Sequence, residues 1–334
     1  MKVIKHLLLF LFLIPTVGTA VQSGCTGAVA GYLSPLTLLV FPMLVVYICL
    51  TGLLFYRQSR WRWVYLGATV LSVHLAFATF RIPLPAIRPV SGTPVRPVSG
   101  TPVRLVSWNV SNFQLSEDTL KASAAFLRQY LPDIVCLQER PHDSLLPWDS
   151  IRTTLAYPHA VINSREDEVL NLAVCSRWPL SGLQEYYFPD SYNKTLQIDI
   201  HHPQGIIRLF NVHLQTTGAS DTLQLHRLQQ NAIYRNQQAD QLAEAIHRSP
   251  YPVVVCGDFN DTPLSYAYHK LCGRLHDCFR EGGAGWGATF QPFGNLFRID
   301  YILCSLHFSV ADYRLFRTAW SDHSIQYSKI HLSL

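Results

Sequence analysis

Residues 252–263, PVVVCGDFNDTP, run from an apolar stretch into a dense group of polar side chains. The β-branched valines read as a buried strand, and Gly257 followed by Asp258, Phe259, Asn260 and Asp261 reads as its end. Side chains alternate along a strand, so Asp258 and Asn260, two residues apart, can share one pocket on a rigid mount. A carboxylate and a carboxamide held in this way are well mounted to act as a catalytic pair. An ordinary strand-to-turn junction also favours Asp and Asn for local hydrogen bonds. The stretch therefore takes its meaning from the other polar groups along the chain.

Those groups recur at the ends of apolar runs. Residues 104–110, RLVSWNV, form an expected strand holding Asn109, and residues 133–139, DIVCLQE, a second one closed by Glu139. A carboxylate in that place is a solvated exit or a metal ligand. Between the two, Ser116 is suited to cap a helix running to about Tyr130, with Ala122, Ala125 and Phe126 on one face and Pro132 ending it. Residues 170–176 form a further strand, and residues 196–201 and 206–213 a hairpin about Pro203-Gln204-Gly205, its second arm ending at His213. A helix from about Asp221 to His247 carries an apolar stripe of Leu225, Leu228, Ala232, Ala239, Leu242 and Ile246. In residues 298–303, RIDYIL, Arg298 and Asp300 alternate with apolar neighbours and share one face, with a buried ion pair as the alternative to a functional role. Asp322 and His323 precede a last strand at residues 325–332.

Taken together, WN at 108–109, LQE at 137–139, NVHL at 211–214, GDFND at 257–261, RIDYIL at 298–303 and SDH at 321–323 resemble the endonuclease/exonuclease/phosphatase superfamily, of the deoxyribonuclease I-like fold. The resemblance covers residues 104–334 and keeps the family's order of motifs. It implies an α/β fold, a four-layer sandwich of two mixed β-sheets flanked by helices. It also implies hydrolysis of phosphate esters with Mg²⁺, or Mn²⁺, held by Glu139, Asn109 and Asp322. By the same resemblance His323 is the general base and Asp300 its orienting carboxylate. Asp258 positions the nucleophile or protonates the leaving oxygen, Asn260 and His213 bind non-bridging phosphate oxygens, and Thr289 and Arg298 touch the substrate phosphate. One residue departs: Ser111 stands where apurinic-site endonucleases of the family carry Asp, which tilts away from repair of abasic DNA. The expected substrate is a phosphate ester of nucleic acid, nucleotide or phospholipid headgroup. A non-catalytic binding module on the same fold is the alternative of another class, and Glu139, Asp258 and His323, whose loss would mark it, are all present.

Nothing in that resemblance accounts for residues 1–103. They carry eight Lys and Arg and no acid, whereas residues 104–334 carry nineteen against twenty-two acids, so the net +5 is +8 from the leader and −3 from the rest. The basic balance thus belongs to the flank of an apolar region and is no sign of nucleic-acid binding. Apolar stretches at about 7–21, 33–55 and 61–80 read as two or three transmembrane helices, with Tyr56, Trp61, Trp63 and Tyr65 placed as an interfacial belt. For the first stretch a cleavable signal peptide competes with a span. Arg57, Arg60 and Arg62 between the last two stretches place that loop in the cytoplasm by the positive-inside rule. The expectation is a multi-pass protein of a bacterial inner membrane with its large domain periplasmic or extracellular. PVSGTPVR occurs twice in tandem at 89–96 and 97–104, and residues 82–103 read as a semi-extended linker between the membrane region (1–81) and the catalytic domain (104–334). Cys136, Cys175, Cys256 and Cys304 sit in apolar runs as buried thiols. Cys272 and Cys278 are close enough in sequence to pair outside the cytoplasm, with free thiols the default. No protein partner is inferable.

Overall fold

The computed structural model describes residues 13–81, 100–165, 170–189, 191–218 and 224–332. The start of the first apolar stretch, most of the repeat linker and the expected helix start at Asp221 lie outside these residues. The chain divides into two compact units. The larger comprises Arg81–Leu214, Glu244–Asn260 and Cys272–Leu334, and the smaller Met1–Phe80, Gln215–Ala243 and Asp261–Leu271.

The larger unit is built on two six-stranded sheets. Its strands are β1 (Val103–Asn109), β2 (Ile134–Arg140), β3 (His159–Ile162), β4 (Asn171–Ser176), β5 (Leu180–Tyr187), β6 (Lys194–His202), β7 (Gly205–His213), β8 (Val253–Asp258), β9 (His276–Asp277), β10 (Asp300–Cys304), β11 (Phe308–Phe316) and β12 (Ile325–Leu332). The first sheet has the order β11-β12-β1-β2-β4-β3 and the second β9-β10-β8-β7-β6-β5. Each is mixed, with one parallel pair, β1 with β2 and β7 with β8, among antiparallel neighbours. The α/β sandwich of two mixed sheets with flanking helices is therefore present as expected.

Alternation along the strands builds the layers. Leu105, Ile134, Cys136, Leu172 and Val174 of the first sheet join Leu196, Ile198, Leu209, Val254, Cys256 and Ile302 of the second in one core. The intervening residues Val106, Trp108, Val135, Leu137 and Ile325 join a second core with helices α1 (Glu117–Tyr130) and α2 (Trp148–Leu155). Ser116 caps α1 by accepting from the Thr119 N–H, as its position predicted. The buried face is nevertheless Leu120, Ala124 and Leu127, while Ala122 and Ala125 are exposed. Alanine is neutral between core and solvent, so only the larger leucines fix the rotation of the helix. At the site end of the sandwich a polar clasp fixes the sheets to each other. Gln138 donates to Asn211 Oδ1 at 2.7 Å, and Asn211 donates to the carbonyls of Leu137 and Ala173 at 3.0 Å.

The smaller unit contains α3 (Ile14–Val21), α4 (Gly27–Leu33), α5 (Val40–Tyr56) and α6 (Arg62–Ala76), with the greater part of α7 (Leu225–His247) and α8 (Tyr266–Cys272). Thr16 donates to Tyr47 at 2.9 Å and lies 3.2 Å from Ser72, both contacts buried, and half-buried Thr51 lies 3.1 Å from Thr69, so hydroxyls lace α3, α5 and α6 together. The helical stretch Gly27–Tyr56, 30 residues, is long and apolar enough to cross a membrane. The expected third span is helical only over the 15 residues of α6. At 1.5 Å per residue that is roughly 22 Å, short of a hydrocarbon core of about 30 Å.

Candidate active site

Five strand ends and one loop converge in the larger unit. Asn109 ends β1, Glu139 lies one residue from the end of β2, His213 ends β7, Asp258 ends β8 and Asp300 opens β10. Sheet register makes the meeting obligatory, since Asp258 is paired directly with His213 on one side and with Asp300 on the other. Two residues need special backbone to get there. Gly257 has φ +133, and a Cβ on it would lie 2.0 Å from the Val212 carbonyl oxygen, so only glycine lets β8 run this close to β7. Glu139 sits at φ +55 inside a register break between Leu137 and Arg140, a bulge that turns its carboxylate out of the strand's alternation.

The His323 Nδ1 lies 3.0 Å from Asp300 Oδ2 and 3.1 Å from Asp300 Oδ1, and its Nε2 lies 3.7 Å from Asp258 Oδ2. On the other side of Asp258, His213 Nε2 stands 3.7 Å from both Asp258 Oδ2 and Glu139 Oε1. The ligand atoms of Glu139, His213 and Asp258 lie within 4.8 Å of one another, as do those of Asp258, Asp300 and His323. Asn109 binds the two groups together, donating Nδ2 to Glu139 Oε1 at 2.9 Å and to Asp258 Oδ2 at 3.1 Å. Asn260, in left-handed backbone at φ +54, donates its amide N–H to Asp258 Oδ1 at 2.7 Å and its Nδ2 to the Leu214 carbonyl at 3.0 Å.

Burial and crowding of like charges tune these groups. Burial pushes Glu139 upward, opposed by the Asn109 hydrogen bond and the His323 charge. Burial and then the neighbouring Asp300 charge push Asp258 up to about 8. Burial alone would lower His323, but the charges of Asp300 and Asp258 outweigh it and raise it to about 10. Burial, with the charges of His323 and Lys194, brings His213 down to about 3, so it is a neutral imidazole. Its Nδ1 is buried without a hydrogen-bond partner among the described residues.

The donor set fits a hard divalent cation. It is rich in carboxylate oxygen, and Glu139 and Asp258 are pushed upward first by burial, so a cation beside them would stabilise the ionised forms that burial disfavours. Glu139 and Asp258 are the oxygen donors best placed to hold it. Asn109 turns its nitrogen to the carboxylates and its oxygen to the Ser111 N–H at 3.1 Å. Ligation by Oδ1 requires the carboxamide to turn round and give up that bond. Asp322 is exposed and belongs to neither cluster of candidate ligands among the described residues.

Two expected substrate contacts point elsewhere. Arg298 is 1% exposed, paired with Asp277 Oδ2 at 2.7 Å and held between Phe279 and Tyr301 at 4.9 and 4.8 Å. It precedes β10, so the period-two argument that set it beside Asp300 does not reach it, and its buried ion pair is with Asp277. Thr289 is buried, its hydroxyl accepting from the N–H groups of Ile299 and Asp300 at 3.0 Å, which steadies the strand carrying Asp300. Sequence reasoning missed the supports of His323. Ser321 accepts from the His323 N–H at 3.0 Å and donates to the Asn109 carbonyl at 2.8 Å, and the Phe290 ring stands 5.0 Å from the imidazole. Ser321 was visible as the first residue of SDH. Phe290 carried no signal.

Cys278 also finds a different neighbour. Its Sγ lies 3.7 Å from that of Cys304, while Cys272 donates to the Leu275 carbonyl, so the suggested Cys272–Cys278 disulfide is not formed. The turn between the two cysteines places Cys278 on a helix covering β10.

Residues 106–323 match the family model described as Endonuclease/Exonuclease/phosphatase family. Among solved structures, an endonuclease/exonuclease/phosphatase from Beutenbergia cavernae is 20% identical with a TM-score of 0.56, covering 70% of this chain and 72% of that one. TDP2 from C. elegans is 17% identical with a TM-score of 0.56, covering 70% and 76% respectively. The human nocturnin catalytic domain, solved with a bound sulfate anion, is 17% identical with a TM-score of 0.53, covering 70% and 95%. No curated protein matches the chain in sequence.

Proposed function

The chain belongs to the endonuclease/exonuclease/phosphatase family, and from that premise we propose that it is a membrane-anchored, metal-dependent phosphodiesterase of nuclease-like type. The observation that carries this reading is the Asp300–His323 couple at 3.0 Å, abutting Asp258 and, through it, the Glu139–His213 group.

In the proposed mechanism a water attacks phosphorus in line with the departing oxygen. Asp300 holds His323 Nδ1, fixes the tautomer and leaves Nε2 to take the water's proton. Bound among Glu139 and Asp258, with Asn109 turned and Asp322 swung inward as further donors, Mg²⁺ or Mn²⁺ would polarise the phosphoryl group and draw the His323 pKa down from its raised value. Neutral His213 donates from Nε2 to a non-bridging oxygen, and Asn260 supports the same charge as it builds. Asp258, ionised and 3.7 Å from His323 Nε2, positions the attacking water, and the leaving oxygen takes its proton from solvent.

A second reading, a phospholipid-headgroup phosphodiesterase, is favoured by the apolar stretch Gly27–Tyr56, which would bring the site to substrates at a bilayer. The larger part of the chain is also slightly acidic, which argues against strong nonspecific binding of duplex DNA. Purified full-length protein should hydrolyse bis-p-nitrophenyl phosphate with Mg²⁺ or Mn²⁺. A panel of single- and double-stranded DNA, RNA, sphingomyelin and phosphoinositides then separates the readings. Full activity in EDTA refutes the mechanism, and inactivity on every ester favours the binding module. The arginine turn at residues 57–62 is proposed to be cytoplasmic and the catalytic unit periplasmic or extracellular. Alkaline phosphatase fused after residue 104 should then be active, and fused after Arg60 inactive.

A further inference from the structure

The apolar leader makes polar contacts that a plain membrane anchor has no use for, all of them inside the smaller unit. Gln22, fully buried, donates Nε2 to the Leu264 carbonyl at 2.8 Å. Asn236 of α7, also buried, donates Nδ2 to the Gly27 carbonyl at 2.8 Å. Ser34 donates to Asp261 Oδ2 at 3.4 Å, and buried Arg235 of α7 reaches the same oxygen through Nε at 2.8 Å and Nη2 at 2.7 Å. The Arg235 Nη2 also stands 3.5 Å from the Ser34 hydroxyl. Gly27, Gly31 and Ser34, spaced by four and three residues, form one helical face. A Cβ on Gly31 would come 2.5 Å from Ile233 Cγ1 and 3.0 Å from the Ile233 backbone nitrogen, so the two helices touch backbone to side chain.

Buried polar side chains are costly unless paired, and here the partners come from opposite ends of the sequence. A charged pair closed by a leader hydroxyl is a built interface and not an accidental apolar contact. We infer that the Gly27–Gly31–Ser34 face of the leader is a docking surface for α7 of this same chain, and that Ser34 and Arg235 are positioning residues for Asp261. Asp261 follows Asn260 directly, so the docked leader steadies the residue next to a catalytic motif. The repeat linker is then a second connection and not the sole tether. The docked face occupies the start of the Gly27–Tyr56 stretch, and the 22 residues from 35 to 56 remain for the membrane, within the roughly 17–25 that a span takes.

The test uses the full-length protein with a C-terminal affinity tag and a protease site in the PVSGTPVR repeat, cleaved in detergent. The leader fragment should stay with the tagged fragment after cleavage, and Gly31→Leu should release it. Ser34→Ala adds no atom to the interface and should weaken retention in the same direction, which covers failure of the bulkier variant to fold. In the uncut protein Ser34→Ala should lower kcat several-fold and leave KM unchanged, with circular dichroism showing the variant as fully folded as wild type at the assay temperature, so that a smaller folded fraction does not account for the loss. Loss of the wild-type leader on cleavage overturns the inference. So does equal retention in wild type and both variants, which would mean that the micelle holds the pieces together. Retention is read without any substrate, so it stands apart from the phosphoesterase reading.

Discussion

The leader and the sandwich are both rich in large apolar side chains, but they turn them in opposite directions. In the sandwich, leucine, isoleucine and valine of the two sheets are almost wholly buried. In the leader, Val17, Val29, Val45, Ile48, Leu53, Trp63 and Val70 are exposed, and only 17% of the most apolar window is buried. The polar groups follow the opposite course, since Thr16, Tyr47, Ser72 and Gln22 turn inward in the leader. An inside-out pattern of this kind is what a hydrocarbon solvent selects, as a layered core is what water selects. The proposed catalytic groups sit where the strands of the sandwich end, because backbone rigidity there holds buried titratable side chains in place.

The largest effect expected on the catalytic side is loss of the base. His323→Ala should lower kcat by on the order of 10²–10⁴, and activity retained in that variant would break the assignment. On stability, removing one member of the buried Arg298–Asp277 pair leaves a stranded carboxylate. Arg298→Met should cost about 3–5 kcal/mol in a urea titration, and a neutral result would break the structural role given to the pair. For the leader, Val45, 63% exposed, should behave as lipid-facing. Val45→Lys should disfavour membrane insertion by about 2.5–3.5 kcal/mol at a helix centre, measured as glycosylation or protease protection, whereas a water-facing valine would accept lysine without effect.

The pH dependence of stability sharpens the site's electrostatics. Asp258 is raised in the fold, to about 8 from 3.8, so the folded state holds its proton more tightly than the unfolded chain. Its contribution is fully present below the unfolded value and is lost as pH rises through about 8. Metal-free Asp258→Asn should therefore unfold at a higher temperature than wild type at pH 8, with the gain vanishing near pH 4, while losing activity. The smallest effect belongs to a local device. Ser116→Ala should remove about 1 kcal/mol by uncapping α1 and leave catalysis intact.

The sequence by itself determined the motif order, the strand that ends at Asp258, the hairpin that ends at His213, the cap at Ser116 and the apolar leader. These depend on short-range rules: alternation, turn chemistry and hydrophobic run length. It was silent on β3, β5, β9 and β11 and on helix α2. β5 is largely exposed along its length, so it lacks the apolar signal by which a strand is recognised. Only the tertiary structure decided that Arg298 answers Asp277, that Cys278 lies against Cys304, that Ser321 and Phe290 support His323, and that Asn109 faces the carboxylates with its nitrogen. Each is a choice among partners far apart in the chain, and sheet register, not local sequence, brings one pair of them within reach. The same holds for the site as a whole. Asp258, His213 and Asp300 are adjacent because β8 lies between β7 and β10, an order fixed by how two apolar faces close on one another.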